Sequence, residues 1–475
     1  MKKFTLIKIF SFVSLLSILF SQMVVQTGCA NIIPPEGGAR DSLPPLLTKA
    51  TPQNNSRNFT GDRINLSFDE YIDIDNPQQN MIISPVPRNT PNVKRNLNTL
   101  IVKLRDSLEA NTTYSINFAN SIKDVNEGNI MKNFTYVFST GSYIDSLQLN
   151  GRVVLAETGD TDSTLTIMLH KTGEDSALRK ERPRYIAKLD GKGRFNFKNL
   201  PPGTYYIYAL KDEGGSYLYL DEKRTFAFAN SPVTTGQPDS VILYAYSNQN
   251  APATHSTSTV SPSRNQPRTS ADKRLKVQTS LEGGKQDLLE KFVFKFETPL
   301  KNFDSTKIRL TTDSTFIPVN GYHWEFDSTM KTATLLYQWK EKTLYNFILE
   351  KEFATDTLGQ QLLKGDTLSF STKATAEYGK LSLRFRNLDL SKNPVLQFVQ
   401  NNAVIKSFPL TSEVLTQPLF LPGEYNLRIL YDNNKNGKWD PGEFFGKHLQ
   451  PELVKPLERK INVRPNWSDE IQIAL

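Results

Sequence analysis

Alternation of apolar and polar residues with a period of two is the feature that most constrains this chain. Ile64, Leu66 and Phe68 share one face of such a segment. Successive side chains of a strand point to opposite sides, whereas a helix places apolar residues three and four positions apart. The same alternation returns at Leu100 to Leu104, Tyr114 to Phe118, Phe134 to Phe138 and Phe292 to Phe296. The pattern therefore predicts a chain made mainly of β-strands.

Turn-forming residues separate these segments, because Asn, Asp, Gly and Pro cluster between them. Many short strands with regular turn clusters are typical of all-β sandwiches. The chain has one cysteine, Cys29, so no pair of cysteines can form a disulfide within it. Each domain must then be held together by its own apolar core, and 475 residues are enough for three or four domains.

Short motifs in residues 43–141 resemble those of a known family. They are Phe68-Asp69-Glu70, Asn111-Thr-Thr-Tyr114, the segment from Ile122 to Asn129 and Phe138-Ser-Thr140. In this order they resemble the bacterial Ig-like domain of the SbsA type. The resemblance implies an antiparallel β-sandwich over this part of the chain.

The next region carries Gly151, the turn Asp190-Gly191 and the turn Pro202-Gly203, each beside an alternating segment. Dipeptides of these kinds favour tight turns between strands. The arrangement resembles the prealbumin-like β-sandwich of carboxypeptidase regulatory domains. The resemblance implies a structural domain without the peptidase itself.

The two-part plan is repeated after a segment of low complexity, because Phe292, Phe294 and Phe296 correspond to Ile64, Leu66 and Phe68. The predicted fold class is all-β, with tandem Ig-like and prealbumin-like β-sandwiches joined by linkers. The expected divisions are a signal peptide at 1–28, a lipidated tether at 29–52, an Ig-like domain at 53–143, a prealbumin-like domain at 144–246, a disordered linker at 247–272, a diverged Ig-like domain at 273–375 and a diverged prealbumin-like domain at 376–475.

The N-terminus carries Lys2, Lys3 and Lys8, followed by an apolar run and then Cys29. A positive segment, a short apolar run and small residues are the pattern of a secretory signal, and the run is too short for a transmembrane helix. The position of Cys29 resembles the lipobox of Bacteroidetes lipoproteins, with Gln26 where the strict pattern prefers Leu. This resemblance implies acylation of Cys29 and an outer-membrane anchor, with the protein on the periplasmic side or the cell surface. The alternative is an ordinary secretory signal with a free thiol.

The sharpest local motif follows an alternating strand near the C-terminus. Oxygen-bearing side chains stand at positions 1, 3, 5, 9 and 12 of a twelve-residue loop, and position 7 offers a backbone carbonyl. These are Asp432, Asn434, Asn436, Lys438 (through its carbonyl), Asp440 and Glu443. This is the spacing of a calcium loop, since alternate residues turn oxygens inward and Gly437 permits the bend. The alternative is a polar hairpin turn in which Asn, Asp and Gly cap their own backbone.

The sequence lacks the motifs of common enzymes, including G-x-S-x-G, H-E-x-x-H and the Walker loop, and its four histidines are scattered. The formal net charge of +8 comes from interspersed charges without a basic block, so no nucleic-acid partner is expected. We therefore expect no enzyme and no required cofactor, with structural calcium as an option.

The expected function is that of a non-enzymatic envelope lipoprotein acting as an adhesion, scaffold or assembly-accessory module. Its expected partners are the membrane, through lipid on Cys29, and an envelope protein or a glycan. The alternative function is a carbohydrate-binding lipoprotein that captures glycans for a neighbouring outer-membrane transporter. Aromatic residues such as Tyr217, Trp324 and Trp467 would then form a stacking surface, although core packing is the other interpretation of these residues.

Overall fold

The computed structural model describes residues 11–18, 40–237, 240–248 and 274–475. The chain divides into two compact units. One contains Met1–Ile82, Arg88–Ala110 and Ile116–Thr140, and the other contains Ile83–Pro87, Asn111–Ser115 and Gly141–Leu475. Almost every regular element is a strand, so the predicted all-β class is confirmed.

Helices are few and short in the described residues. Residues 11–18 are helical and coincide with the apolar run of the predicted signal. The other helices are α1 (Pro77–Asn80), α2 (Ala177–Lys180) and the 3₁₀ turns Ser305–Lys307, Thr375–Glu377 and Leu390–Lys392. Among the described helices, none has both the length and the apolar character needed to span a bilayer.

The first sandwich begins after residue 46. Its strands are β1 (Leu47–Thr51), β2 (Arg63–Phe68), β3 (Ile72–Ile74), β4 (Ile82–Ser84), β5 (Asn92–Asn96), β6 (Thr99–Lys103), β7 (Thr113–Asn117), β8 (Ile122–Asp124), β9 (Ile130–Met131) and β10 (Thr135–Ser139). They form sheets in the orders β1-β2-β6-β5, β10-β7-β4 and β3-β8-β9. The alternation in β2 places Ile64, Leu66 and Phe68 in the core, as predicted.

The second sandwich follows directly. Its strands are β11 (Leu147–Leu155), β12 (Thr166–His170), β13 (Tyr185–Lys188), β14 (Arg194–Leu200), β15 (Thr204–Leu210), β16 (Phe226–Phe228), β17 (Val233–Thr234) and β18 (Val241–Ala245). One sheet has the order β14-β11-β18, with β11 and β18 parallel, and the other has the order β13-β12-β15-β16, with β17 beside β15. Residues of both sheets, among them Leu149, Ile167 and Ile207, share one core.

The third sandwich lies beyond residue 273. Its strands are β19 (Val277–Thr279), β20 (Lys285–Gln286), β21 (Phe292–Phe296), β22 (Leu300–Phe303), β23 (Ile308–Thr312), β24 (Ile317–Pro318), β25 (His323–Phe326), β26 (Thr332–Leu336), β27 (Leu344–Leu349), β28 (Ala354–Asp356) and β29 (Asp366–Thr372). Their sheets are β19-β21-β26-β25, β20-β29-β27-β23-β24 and β22-β28. Phe292, Phe347 and Phe370 meet in its core, with ring centroids 4.7 to 5.6 Å apart.

The fourth sandwich follows the third. Its strands are β30 (Gly379–Arg386), β31 (Pro394–Gln400), β32 (Ala403–Pro409), β33 (Val414–Phe420), β34 (Gly423–Tyr431), β35 (Leu453–Val463) and β36 (Ser468–Ala474). The sheets are β33-β30-β36, in which β30 and β36 are parallel, and β32-β31-β34-β35.

Strand connectivity shows the internal repeat. The order β19-β21-β26-β25 in the third sandwich corresponds to β1-β2-β6-β5 in the first. The parallel pair β30 and β36 in the fourth sandwich corresponds to β11 and β18 in the second. The sequence correspondence between the two halves is therefore accompanied by equivalent sheet orders.

A substitution at Gly151 would test the packing of the second sandwich. It lies on β11 between Phe195 of β14 and Val241 of β18. A Cβ atom there would overlap the Phe195 ring and the Val241 carbonyl oxygen. We predict that Gly151→Ala lowers the free energy of unfolding by about 1–3 kcal/mol, because the core must move to accept the methyl group. Chemical denaturation of the full chain measures the change.

Gly191→Ala is the matched control. A Cβ at Gly191 meets no atom within 4 Å, and its backbone is outside the left-handed region. This substitution should change the stability by less than about 0.5 kcal/mol. Equal stability of the two variants would contradict the described packing of β11.

Candidate functional site

The predicted lipidation residue, Cys29, lies outside the described residues. Acylation of this cysteine therefore stays a prediction. The described chain resumes at Arg40, which leads into β1.

The predicted calcium loop connects β34 to β35, and its first residue organises it. Asp432 is only 2% exposed. Its Oδ1 atom accepts a hydrogen bond from the Lys435 backbone N at 2.6 Å, and its Oδ2 atom accepts one from the Gly437 N at 2.6 Å. The left-handed backbone at Gly437, with φ 76°, allows the bend that brings this N–H back to the carboxylate.

Asp440 lies at the centre of the same loop. Its Oδ2 atom accepts hydrogen bonds from the side-chain amides of Asn434, at 2.7 Å, and Asn436, at 2.6 Å. The Asn436 Oδ1 atom in turn accepts from the Lys438 backbone N at 2.7 Å. The structure thus brings together Asp432, Asn434, Asn436 and Asp440, as the motif predicts, through hydrogen bonds within the loop.

Glu443 departs from the predicted arrangement. Its backbone forms a two-way bridge with Leu449, with N···O distances of 2.9 and 2.8 Å, and its carboxylate pairs with Lys447 Nζ at 2.7 Å. The twelve-residue spacing assumes a loop that continues into a helix. Here Pro441 and the Leu449 bridge continue the chain as a turn, so the predicted twelfth ligand forms its ion pair elsewhere.

Glu452 is an acidic residue beside the loop that the calcium-loop spacing did not predict. It is 5% exposed, and its carboxylate accepts hydrogen bonds from the backbone N atoms of Asn433, at 2.6 Å, and Asp440, at 3.1 Å. Burial raises the pKa of Glu452, and the nearby charges of Asp432 and Asp440 add to the rise. No spacing rule could have identified it, because it lies nine residues beyond the motif.

The described residues contain no group of three or more His, Cys, Asp or Glu side chains arranged to hold a metal ion. In the geometry described, the loop is held by its own hydrogen bonds. The amide nitrogens of Asn434 and Asn436 face Asp440, so a cation would require both side chains to turn their oxygen atoms inward. Calcium binding stays a prediction.

The equivalent loop of the second sandwich places a basic side chain beside its buried carboxylate. Asp212 has a fully buried side chain and accepts a hydrogen bond from the Tyr217 N at 2.6 Å. The Arg224 guanidinium lies 3.6 Å from the same carboxylate. For Asp432, the ion pairs of the described residues include no such basic partner. In both loops the aspartate accepts a hydrogen bond from the backbone N five residues further on, but only Asp212 has a basic side chain beside it among the described ion pairs.

The chain after the calcium-like loop makes an unpredicted contact with the second sandwich. We call residues 444–450 the clasp. Phe444 is 5% exposed and packs on Phe228 and Phe226, with ring centroids 5.0 and 5.3 Å away. Phe445 stacks on Tyr219 at 5.4 Å. The clasp therefore covers the outer face of the sheet β13-β12-β15-β16.

Polar contacts surround these rings. His448 Nε2 lies 2.6 Å from the Asp175 carboxylate, and the Gln450 side-chain amide donates to the Phe228 carbonyl at 3.0 Å. The guanidinium carbon of Arg179 lies 3.8 Å from the centre of the Phe445 ring, a cation–π contact. The rim of this interface is charged while its centre is aromatic.

The contact between the two sandwiches is reciprocal. The turn after β11 packs on the outer face of the fourth sandwich, where Val454 N donates to the Ala156 carbonyl at 2.9 Å. The Arg428 guanidinium, on a side chain that is largely buried, donates to the Glu157 carbonyl at 3.3 Å. A Cβ on Gly159 would overlap the ring of Pro456. Each sandwich thus uses a loop to cover a sheet face of the other.

The aromatic residues that could have formed a glycan platform differ in exposure, and Tyr217, Trp324 and Trp439 are half-buried. Tyr219 and Trp339 are buried, whereas Trp467 is 57% exposed. A cavity of about 490 Å³ in the third sandwich is lined in part by Phe303, Trp324 and Phe326. The Phe303 ring is tilted by 62° and 69° to the other two, so these three rings do not form a flat stacking surface.

The interface generates a prediction about Phe444. Phe444→Ala should lower the stability of the second and fourth sandwiches by about 3 kcal/mol, because it removes a buried ring from between them. Phe316→Ala is the control, since Phe316 is 46% exposed, and it should change stability by less than about 0.5 kcal/mol. Chemical denaturation and amide exchange at Phe226 and Phe228 measure the effect. Unchanged exchange in Phe444→Ala would contradict the interface.

Comparison with known proteins identifies one domain. Residues 41–140 match the family model of the bacterial Ig-like domain. No curated protein matches the chain.

Several solved structures are similar at low identity. The major pilin subunit BcpA of Bacillus cereus is 11% identical, with 70% of this chain and 99% of that chain covered, and a TM-score of 0.17. Native alpha-2-macroglobulin of Escherichia coli, domains MG0-NIE-MG1, is 15% identical, with 42% and 92% covered and a TM-score of 0.20. The N-terminal part of the bacterial S-layer protein SbsC is 14% identical, with 43% and 44% covered and a TM-score of 0.16. At these TM-scores, none of the three structures superposes on the chain as a whole.

The family match spans the motifs around Phe68, Asp124 and Phe138 on which the sequence resemblance was based. Its limits, 41–140, start before the predicted domain start at residue 53 and include β1 and the segment that precedes it. In sequence and in fold class, residues 41–140 are similar to the bacterial Ig-like domain.

Proposed function

We propose that this chain is a non-enzymatic lipoprotein of the bacterial cell envelope, anchored through Cys29 and acting as an adhesion, scaffold or assembly-accessory module. The observation that carries the proposal is the order of parts. A signal-like segment and the chain's sole cysteine directly precede a domain similar to the bacterial Ig-like domain. An outer-membrane position follows from the lipobox resemblance, on the periplasmic side or the cell surface.

The architecture supports a role in contact rather than in chemistry. Carboxylates such as Asp124, Asp432 and Glu452 are engaged by backbone N–H groups and stabilise turns. The mutual covering of sheet faces by the second and fourth sandwiches makes a body suited to transmit force or to present a surface. We propose an envelope protein as the partner of that surface. Glycan capture is left as the alternative, because the described aromatic cleft is not flat.

The anchor is tested by acylation in cells. The wild-type chain should incorporate labelled palmitate and fractionate with membranes, whereas Cys29→Ser should lose the label. Gln26→Leu is the control, because it brings the signal closer to the strict lipobox pattern and should keep the label. A wild-type chain that stays unlabelled and soluble after export would overturn the proposal. If the chain is labelled, mild crosslinking in membranes followed by mass spectrometry then identifies the partner.

Structural calcium is proposed as an addition to this function, held by the loop that begins at Asp432. The negative charges of Asp432 and Asp440 contribute to the raised pKa of Glu452, and a divalent cation bound in this loop would offset that charge. The ion would stabilise the turn that precedes the clasp, and no reaction is assigned to it.

Calcium should raise the melting temperature of the full chain. At a calcium concentration 100 times the Kd, binding should add about 2.7 kcal/mol to the free energy of unfolding. Glu452→Gln should reduce this rise, whereas Glu443→Gln should keep it, because the Glu443 carboxylate pairs with Lys447. Each variant is compared with and without calcium, so that changes in basal stability cancel. If calcium has no effect on the wild type, the loop is the polar turn alone.

A further inference from the structure

One end of the first sandwich exposes a group of large apolar side chains. They are Leu43 (68% exposed), Leu46 (59%), Tyr71 (58%), Leu97 (62%) and Val125 (48%). A single exposed leucine on a protein surface needs no explanation, but a contiguous group marks an interaction site. We call these five residues the apolar tip.

Hydrogen bonds place the five residues beside one another. Leu46 N donates to the Asp69 carboxylate at 2.8 Å, two residues before Tyr71. Val125 N donates to the Tyr71 carbonyl at 3.0 Å, and Ile72 N donates to the Leu97 carbonyl at 3.3 Å. The segment 40–46, the turn before β3, the β5–β6 turn and the β8–β9 turn therefore meet at one end of the sandwich.

The N-terminal segment is fastened to this same end. The Arg40 guanidinium donates to the Glu127 carbonyl at 3.3 Å, and the Asn129 amide donates to the Asp41 carbonyl at 3.1 Å. Leu43 is thereby held near the β8–β9 turn that carries Val125. The chain enters the first sandwich at the apolar tip and not at its opposite end.

Other side chains form the core at this end of the first sandwich. Ile72, Leu100 and Ile122 lie close to the tip residues in sequence and are fully buried. Burying a large apolar side chain is worth about 1.5–3 kcal/mol relative to leaving it exposed. The tip side chains thus expose apolar area to water. Contact with a surface of low polarity would bury this area.

The distance to Cys29 identifies that surface. Arg40 follows Cys29 by 11 residues, which span at most about 40 Å when fully extended. An acyl group on Cys29 would therefore keep the tip within about 40 Å of the bilayer, where its effective concentration at the membrane is high. Acylation of Cys29 would therefore keep a lipid surface within reach of the tip.

We propose that the apolar tip docks on the lipid bilayer that anchors the chain, with its leucines in the interface and Tyr71 at the level of the headgroups. This inference rests on the proposed lipid anchor. Docking would add a second attachment point and orient the first sandwich with its tip against the membrane.

Charges around the tip define the lipid it prefers. Asp41, Asp69, Asp124 and Glu127 lie near Glu70, whose pKa is raised by burial and by these four carboxylates. Arg40 reaches the Glu127 carbonyl, and Arg95 pairs with Asp73 at 3.2 Å. Because acids outnumber bases there, the tip should bind zwitterionic lipid better than anionic lipid at low salt.

The test uses the chain from Cys29 to Leu475, coupled through its only thiol to a maleimide lipid in phosphatidylcholine vesicles. Chemical coupling makes the result independent of whether cells acylate Cys29, so failure of docking is distinguished from failure of the proposed anchor. A reporter is introduced by Leu97→Trp, and its emission is measured as the difference from the parent chain. The four native tryptophans lie between Trp324 and Trp467, beyond the first sandwich.

The reporter at the tip should shift to the blue and lose at least half of its emission when the vesicles contain brominated phosphatidylcholine. Lys103→Trp is the matched control, because Lys103 is exposed at the far end of β6, the strand that starts beside Leu97. Its emission should not change. Equal quenching at both positions, or none at either, overturns the proposal.

A second variant set tests the tip itself. Adding Leu43→Ser, Tyr71→Ser and Val125→Ser to the Leu97→Trp chain should reduce the quenching to the level of the Lys103→Trp control. All three positions are exposed, so circular dichroism should show an unchanged fold. Quenching that persists in this set would mean that the tether alone brings the reporter to the lipid, which also overturns the proposal.

Discussion

Burial of aromatic and aliphatic side chains between paired sheets is the interaction on which every part of this structure depends. With one cysteine in the chain, the apolar cores hold the sandwiches without a disulfide. In the third sandwich, Phe292, Phe347 and Phe370 form a cluster of rings from two sheets. Because each fully buried side chain of this size contributes about 1.5–3 kcal/mol, a few such rings decide the stability of a domain. Strand pairing and turn geometry are arranged around them.

Carboxylates serve the turns that connect these strands. Burial alone would raise the pKa of Asp124, but hydrogen bonds from the backbone N–H groups of Gly128, Glu127 and Asn129 outweigh burial and lower it. Asp212 and Asp432 cap their loops in the same manner. An aspartate that accepts several backbone N–H groups fixes a turn, and these hydrogen bonds offset the cost of burying its charge. The loop that begins at Asp432 therefore shares its aspartate-capped turn with other loops of the chain.

Much of the fold was predictable because its determinants are local. Ile64, Leu66 and Phe68 are buried as their spacing indicates, and the motif order around Phe138 identified the Ig-like domain that the family match confirms. The meeting of Asp432, Asn434, Asn436 and Asp440 was also predictable from spacing. The spacing did not predict the pairing of the Glu443 carboxylate with Lys447, nor the place of Glu452 beside the loop. The position of a side chain beyond a loop depends on how the chain continues, and here it continues through a bridge to Leu449.

The sequence by itself determined the all-β class of the fold, the position of one Ig-like domain and the presence of an N-terminal pattern that ends at Cys29. These features follow from periodicity, turn residues and short motifs, each of which acts within about ten residues. The tertiary structure alone decided that Phe444 covers the second sandwich and that Leu43, Tyr71 and Leu97 meet at one end of the first. Contacts between distant segments depend on which sheet faces remain uncovered after each domain has folded, and no local pattern encodes that choice.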